Sequence, residues 1–130
     1  MKLVILLFLF SISAFSKHLH KEKYYQEYFC HQLGGITEYR LPDKTRVDCL
    51  SQEYAIEVDF AQKWAESIGQ SLYYADQTYK KPAVLLIMEN EEKDLKYLKR
   101  LNQVSKKHKI DIWIINKNFE IKEYRMEDLE

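Results

Sequence analysis

The chain has 130 residues, 46% hydrophobic and 14% aromatic, and its 20 lysines and arginines balance 20 aspartates and glutamates. That length suits one compact domain, and no internal repeat, low-complexity segment or second domain is visible. The zero net charge excludes an overall basic field of the kind that advertises nucleic acid.

The chain opens with Met1-Lys2, the apolar run Leu3-Val4-Ile5-Leu6-Leu7-Phe8-Leu9-Phe10, and small residues at Ala14 and Ser16. A charged start, a short apolar core and a small-residue exit predict a secretory signal peptide over 1–16, cleaved before Lys17. The run falls short of the ~20 apolar residues a spanning helix needs, and no cysteine follows it to take a lipid. Residues 17–130 are therefore expected as a single exported domain, periplasmic or secreted, with no stable membrane association once the leader is gone. His18 and His20, close to that new terminus, are expected to be disordered.

Residues 20–33 read as a helix, with Tyr24, Tyr28 (or Phe29) and Gln32 at helical spacing and Gly34-Gly35 to end it. A strand over 36–41 and a turn at Pro42-Asp43-Lys44 follow. Arg46-Val47-Asp48-Cys49-Leu50 and Ile56-Glu57-Val58-Asp59-Phe60 alternate apolar with polar residues, the mark of half-buried strands joined as a hairpin. A helix over 62–79 gathers Trp64, Ala65, Ile68, Leu72, Ala75 and Tyr79 in one apolar sector, and Lys63, Gln70 and Tyr74 on another stripe. The unbroken apolar run over 83–88 reads as a strand covered on both faces. A helix over 92–107, buried through Leu95, Leu98, Leu101 and Val104, leads to a core strand over 111–116. Beyond 118 there is pattern only for a short edge strand or a tail. The order α-β-β-β-α-β-α-β predicts an α/β fold with a mixed central sheet flanked by helices.

The hairpin carries the chemistry. If Leu50 pairs with Ala55, Asp48 lies opposite Glu57 at ~4.5–5.5 Å, and Asp59 follows on the same face. Pairing Leu41 with Thr45 adds Glu38 beside Asp48. Opposed like charges destabilise a sheet unless something positive lies between them, and a hard divalent cation, Mg²⁺ or Mn²⁺, is the natural occupant of an all-oxygen site.

This arrangement of acids resembles the PD-(D/E)xK nuclease superfamily, with its restriction-endonuclease-like fold, and Gln70-Ser71-Leu72-Tyr73-Tyr74 resembles the Q-x-x-x-Y element of the RecB-like branch. The resemblance spans 24–116. It implies hydrolysis of phosphodiester bonds in DNA, as an endonuclease or an exonuclease, with Asp48 and Glu57 holding Mg²⁺ or Mn²⁺. Asp59 stands where the superfamily carries lysine, as a third ligand or a water-orienting base, and Lys63 one turn later can supply the missing ammonium. Gln70 and Tyr74 are expected against the substrate backbone. Glu38 and Glu27 are candidate outer acids. The same residues leave open a module that keeps the fold and binds nucleic acid or protein without turnover, or a purely structural use of the fold.

Two cysteines in an exported chain point to a bridge. Cys49 alternates with Asp48, so it faces the other side of the sheet, where the first helix with Cys30 is expected to pack; the alternative is two buried thiols. The basic residues Lys99-Arg100 and Lys106-Lys107-His108-Lys109 are either a phosphate grip or a solvated helix face. The four histidines lack metal-ligand spacing.

Overall fold

The computed structural model describes residues 17–124, so the leader expected over 1–16 lies outside the described residues. The elements are α1 (Glu22–Gln32), β1 (Ile36–Arg40), β2 (Arg46–Leu50), β3 (Tyr54–Phe60), a 3-10 turn (Ala61–Lys63), α2 (Trp64–Thr78), β4 (Lys81–Met88), α3 (Glu91–His108), β5 (Asp111–Asn116) and β6 (Ile121–Tyr124). The strands form one mixed sheet in sequence order. β1, β2 and β3 run antiparallel, β4 and β5 join β3 in parallel, and β6 returns antiparallel at the far edge. Among the described residues no helix is long and apolar enough to cross a membrane.

Both faces of the central strands are covered, as parallel strands require. Tyr25, Phe29 and Cys30 of α1 pack with Ile56, Val58, Phe60, Leu85 and Ile87 on one face. On the other, Val84, Leu86 and Ile112 pack with Leu98 and Leu101 of α3, joined at the margin by Trp64, Ile68 and Leu72 of α2.

Two helices bury only part of the stripe their composition indicates, Phe29 in α1 and Leu98 and Leu101 in α3. In α1 the buried residues are Tyr25, Gln26, Phe29 and Cys30, while Tyr24 and Tyr28 are exposed. In α3, Asp94, Leu98, Leu101, Asn102 and Ser105 are buried and Leu95 is exposed. Polar residues take core positions in both helices where their side chains find hydrogen-bond partners. Gln26 reaches Asp48, Asp94 accepts from the Asn90 N–H, and Ser105 donates to the Leu101 carbonyl.

Cys30 and Cys49 form a disulfide with Cα atoms 5.6 Å apart, tying α1 to β2. The turn after α1 is fitted around it. Gly34 has φ +65°, where glycine ends a helix without strain. Gly35 has another reason to be glycine: a Cβ there would lie 2.8 Å from both cystine sulfurs and 3.0 Å from the Leu50 carbonyl.

Removing the bridge, which closes a separation of 19 residues, is expected to cost ~3 kcal/mol. Gly35→Ala is expected to cost about 1–3 kcal/mol by overpacking. In a double-mutant cycle with Cys30→Ser/Cys49→Ser the Gly35→Ala penalty should shrink, because unlinked side chains can move aside. Denaturant midpoints for the four proteins check this; an undiminished penalty would place the clash at Leu50 instead.

Candidate functional site: a buried carboxylate cluster where two strands part

The β2–β3 ladder pairs Leu50 with Ala55 and Cys49 with Ile56, then stops. Asp48 and Glu57, expected as the next pair, are not ladder partners. The strands part there, and side chains take over the bonding. The Val58 N–H donates to Asp48 Oδ2 at 2.8 Å, and Gln26 Nε2 of α1 donates to the Asp48 carbonyl at 2.8 Å. The same amide donates to Glu38 Oε1 at 2.9 Å. Glu38 itself has φ 54° in mid-strand, a conformation that costs a non-glycine residue ~1–2 kcal/mol. The β1–β2 ladder pairs Thr37 with Cys49 and Tyr39 with Val47, skipping Glu38 and Asp48 between them. The ladders on both sides of β2 are thus interrupted at one residue, Asp48.

Glu57 and Asp59 follow from β3, both 6% exposed. Glu57 Oε2 and Asp59 Oδ2 are buried without a hydrogen-bond partner. Burial alone disfavours their ionised forms. It raises Glu57 well above the usual carboxylate range, with the Asp48 and Asp59 charges adding to it. Asp59 is pushed up to about 7 by burial, then by Glu22 and Asp48, against the lowering influence of Lys63. Burial also raises Asp48, countered by its bond from Val58 and reinforced by Glu22 and Glu38.

Glu22 is the residue the sequence reading missed. It sits in the first turn of α1, half-buried, and its carboxyl is raised by burial while Lys63 pulls it down and Glu38 pushes it up. The available signal was its spacing: Glu22 lies one helical turn before Gln26, on the same side of α1. Glu27, proposed from sequence as the α1 acid, is instead exposed and ion-paired with Lys23 at 3.6 Å. The helix presents its 22/26 edge to the strands because Tyr25, Phe29 and Cys30 fill the core.

Glu38 joins the cluster at its rim, held by Gln26 and by Arg46 at 3.7 Å. Lys63 ends the 3-10 turn, is exposed, and supplies the positive charge felt by both Glu22 and Asp59. Tyr74 departs from its expected place on an exposed stripe. It is 7% exposed, packed with Leu41, Val47, Ala55 and Ala75, and its phenol is raised by burial and then by the charges of Glu57 and Asp48. Gln70, one turn earlier, is exposed. Tyr74 therefore floors the cluster from the α2 side while Gln70 faces outward.

The N-terminal residues are also ordered, contrary to expectation. The His18 ring stacks on Phe60 with centroids 3.5 Å apart. Glu89 accepts from the Leu19 N–H at 3.1 Å, the His20 N–H at 3.1 Å and the Tyr25 hydroxyl at 2.9 Å. One carboxylate thus pins the strand-like entry to α1 across the end of β4.

In their present positions no three His, Cys, Asp or Glu side chains among the described residues converge into a ready-made metal cluster. The donor set nonetheless suits a hard cation. Its members are carboxylates, two of their oxygens are buried and unpartnered, and oxygen donors select Mg²⁺, Mn²⁺ or Ca²⁺ over softer metals.

The raised carboxyls fix the direction of a pH dependence. Each folded-state value lies above its unfolded one, so the folded protein binds more protons and stability is lost as pH rises from about 4 through about 7. The metal-free protein should be more stable at pH 5 than at pH 8. Asp59→Asn should raise its stability at pH 8 by on the order of 1 kcal/mol, several degrees in Tm, by removing an unpaired buried charge. Melting curves at the two pH values check this; a variant less stable than the parent at pH 8 would show that the ionised Asp59 is already compensated.

No family model, curated protein or solved structure matches this chain.

Proposed function

We propose that this protein is an exported, metal-dependent nuclease of PD-(D/E)xK type, hydrolysing phosphodiester bonds of DNA at the parting of β2 and β3. The observation that carries the reading is the pair of buried, unpartnered carboxylate oxygens on Glu57 and Asp59 beside Asp48, where the other buried side-chain polar atoms among the described residues find partners. Unpaired acids so placed destabilise the fold, and a divalent cation removes that cost. The element order and the mixed sheet agree with the restriction-endonuclease-like fold, and a disulfide agrees with an oxidising compartment.

In this reading Asp48, Glu57 and Asp59 hold Mg²⁺ or Mn²⁺. The bound ion neutralises phosphate charge and makes water a competent nucleophile near neutral pH. The chain's own residues do the rest. The Val58 N–H fixes one Asp48 oxygen. Glu22, facing the cluster from α1, is placed to orient water or take its proton, with a carboxyl raised toward the working range by burial. Lys63, exposed at the start of α2, directs its ammonium to the charge that develops on the phosphate. Gln26 and the disulfide hold Glu22 and Asp48 in register. Tyr74 closes the floor and excludes water. Gln70 contacts the substrate backbone from the exposed side of α2.

The second reading, a module that binds nucleic acid or protein without turnover, has one observation in its favour: Asp59 occupies the strand position where the superfamily places lysine. Purified mature protein incubated with plasmid and with single-stranded DNA, across Mg²⁺ and Mn²⁺ concentrations, separates the two. Cleavage is expected, abolished by chelation and by Glu57→Gln. Lys63→Ala should lower kcat and kcat/KM together by ~10²–10³-fold while leaving metal affinity measured by calorimetry nearly intact. No cleavage of either DNA in either metal, with DNA binding retained, decides for the binding module.

A further inference from the structure

A cavity of about 710 Å³ lies beside the carboxylate cluster, between the N-terminal segment, the end of β4 and the start of α3. Its wall carries Lys17, Lys93, Lys96 and Lys117 together with Phe60 and Tyr97. Two acids also line it, and both are engaged. Glu89 accepts from the N-terminal backbone and Tyr25. Asp94 accepts from Gln62 and the Asn90 N–H. Four ammonium groups against two occupied carboxylates leave a net positive cavity in a chain with no net charge. Asn90 caps the N-terminus of α3 at the same wall, adding the positive end of an 18-residue helix.

The neighbours of the cavity tie it to the cluster. Phe60 follows Asp59 directly in the chain, and Gln62 precedes Lys63, so the end of the strand that carries Glu57 and Asp59, and the turn after it, form part of the cavity wall. Tyr97 offers an aromatic surface already attended by cations, Lys96 at 5.0 Å and Arg100 at 5.7 Å from the ring centroid. A volume in the range of ligand-sized pockets, lined by lysines and an aromatic ring, fits a phosphate-bearing nucleotide unit. Lysine serves as a point charge for phosphate, and aromatic rings accept bases of any sequence. The basic residues singled out in sequence, Lys99 and Lys106 to Lys109, lie elsewhere on α3 and do not line this cavity.

We propose that the cavity is a phosphate site for the DNA strand that passes the carboxylate cluster, holding a backbone phosphate on Lys93 and Lys96 one step from the bond to be cut. The identity of the strand rests on the nuclease reading above; the anion site itself does not. The binding test needs no turnover. With the full mature protein in EDTA, a fluorescein-labelled single-stranded oligonucleotide is titrated by anisotropy across salt concentrations, and inorganic phosphate is titrated while amide NMR shifts are followed. The oligonucleotide should shift Lys93, Lys96 and Tyr97, and should bind more tightly than phosphate. Lys93→Ala/Lys96→Ala should weaken oligonucleotide binding about tenfold and lower the slope of log affinity on log salt by roughly 1, as expected of a protein that neutralises one fewer phosphate. Both lysines are exposed, so the fold tolerates the change. Lys99→Ala/Lys106→Ala, with the same change in charge, should alter binding far less. Equal effects of the two double variants, or none, overturn the site. Shifts produced by inorganic phosphate alone, with no oligonucleotide binding, overturn the strand assignment. Oligonucleotide binding lost in Lys93→Ala/Lys96→Ala in a protein that never cleaves leaves the phosphate site standing and removes the nuclease. Cleavage with binding unchanged in that variant does the reverse.

Discussion

Asp48 bonds across a break in the sheet that would otherwise leave backbone groups without partners. Where β2 leaves β3, its carboxylate accepts the Val58 N–H and its carbonyl accepts the Gln26 amide. Buried backbone groups have to be satisfied somewhere, and here one residue serves both strands. An unbroken ladder would set Asp48 and Glu57 as directly opposed neighbours, at the separation where like charges repel most. At the parting the Glu57 and Asp48 carboxyls meet within hydrogen-bond reach, with Asp59 close enough to add its charge, and Glu22 and Gln26 of α1 approach from the side.

The carboxylate cluster depends on α1 staying where it is, and two features of different strength hold it there. The Cys30–Cys49 disulfide joins the helix to the residue next to Asp48, and its cost of removal is several times that of one neutral hydrogen bond. Gln26 then sets the fine position through Asp48 and Glu38. The left-handed Glu38 fits this account, because backbone strain persists only where surrounding contacts fix it. Its carboxylate is bonded to Gln26 and lies 3.7 Å from Arg46, which offsets the local cost.

Much of this was legible in the sequence because it depends on period and punctuation. Alternation in 46–50 and 54–60 placed Asp48, Glu57 and Asp59 on strands, the Leu50–Ala55 register follows from a short turn, and the parity of Cys49 put it on the α1 face. What was not legible depends on three-dimensional choice. Helix α1 has apolar residues on more than one stripe, and tertiary packing selected Tyr25 and Phe29 over Tyr24 and Tyr28; the acid facing the site became Glu22 and not Glu27 by the same rotation. Tyr74 looked like an exposed polar-stripe residue, yet the parting of the strands gives its ring a pocket against Val47 and Ala55. The order at His18 and His20 rests on Glu89, about seventy residues away in the chain, and no local pattern announces such a contact.

The balance of charges illustrates how little a total says about a surface. Twenty cations and twenty anions cancel over the whole chain, but the fold sorts them. Glu22, Glu38, Asp48, Glu57 and Asp59 gather at the strand parting, while Lys17, Lys93, Lys96 and Lys117 gather at the adjoining cavity. Exposed charges act over about 8–10 Å in physiological salt, so a polyanion approaching this end of the sheet meets local charges and not the average. Separated patches of this kind put cations next to acids, so the lysines offset part of the repulsion that the acids alone would exert on an anion. A uniformly basic protein would bind such a ligand more tightly and at more places. The sorting found here keeps the positive charge local to one cavity, with Lys63 near the acids instead, where it is felt by Glu22 and Asp59.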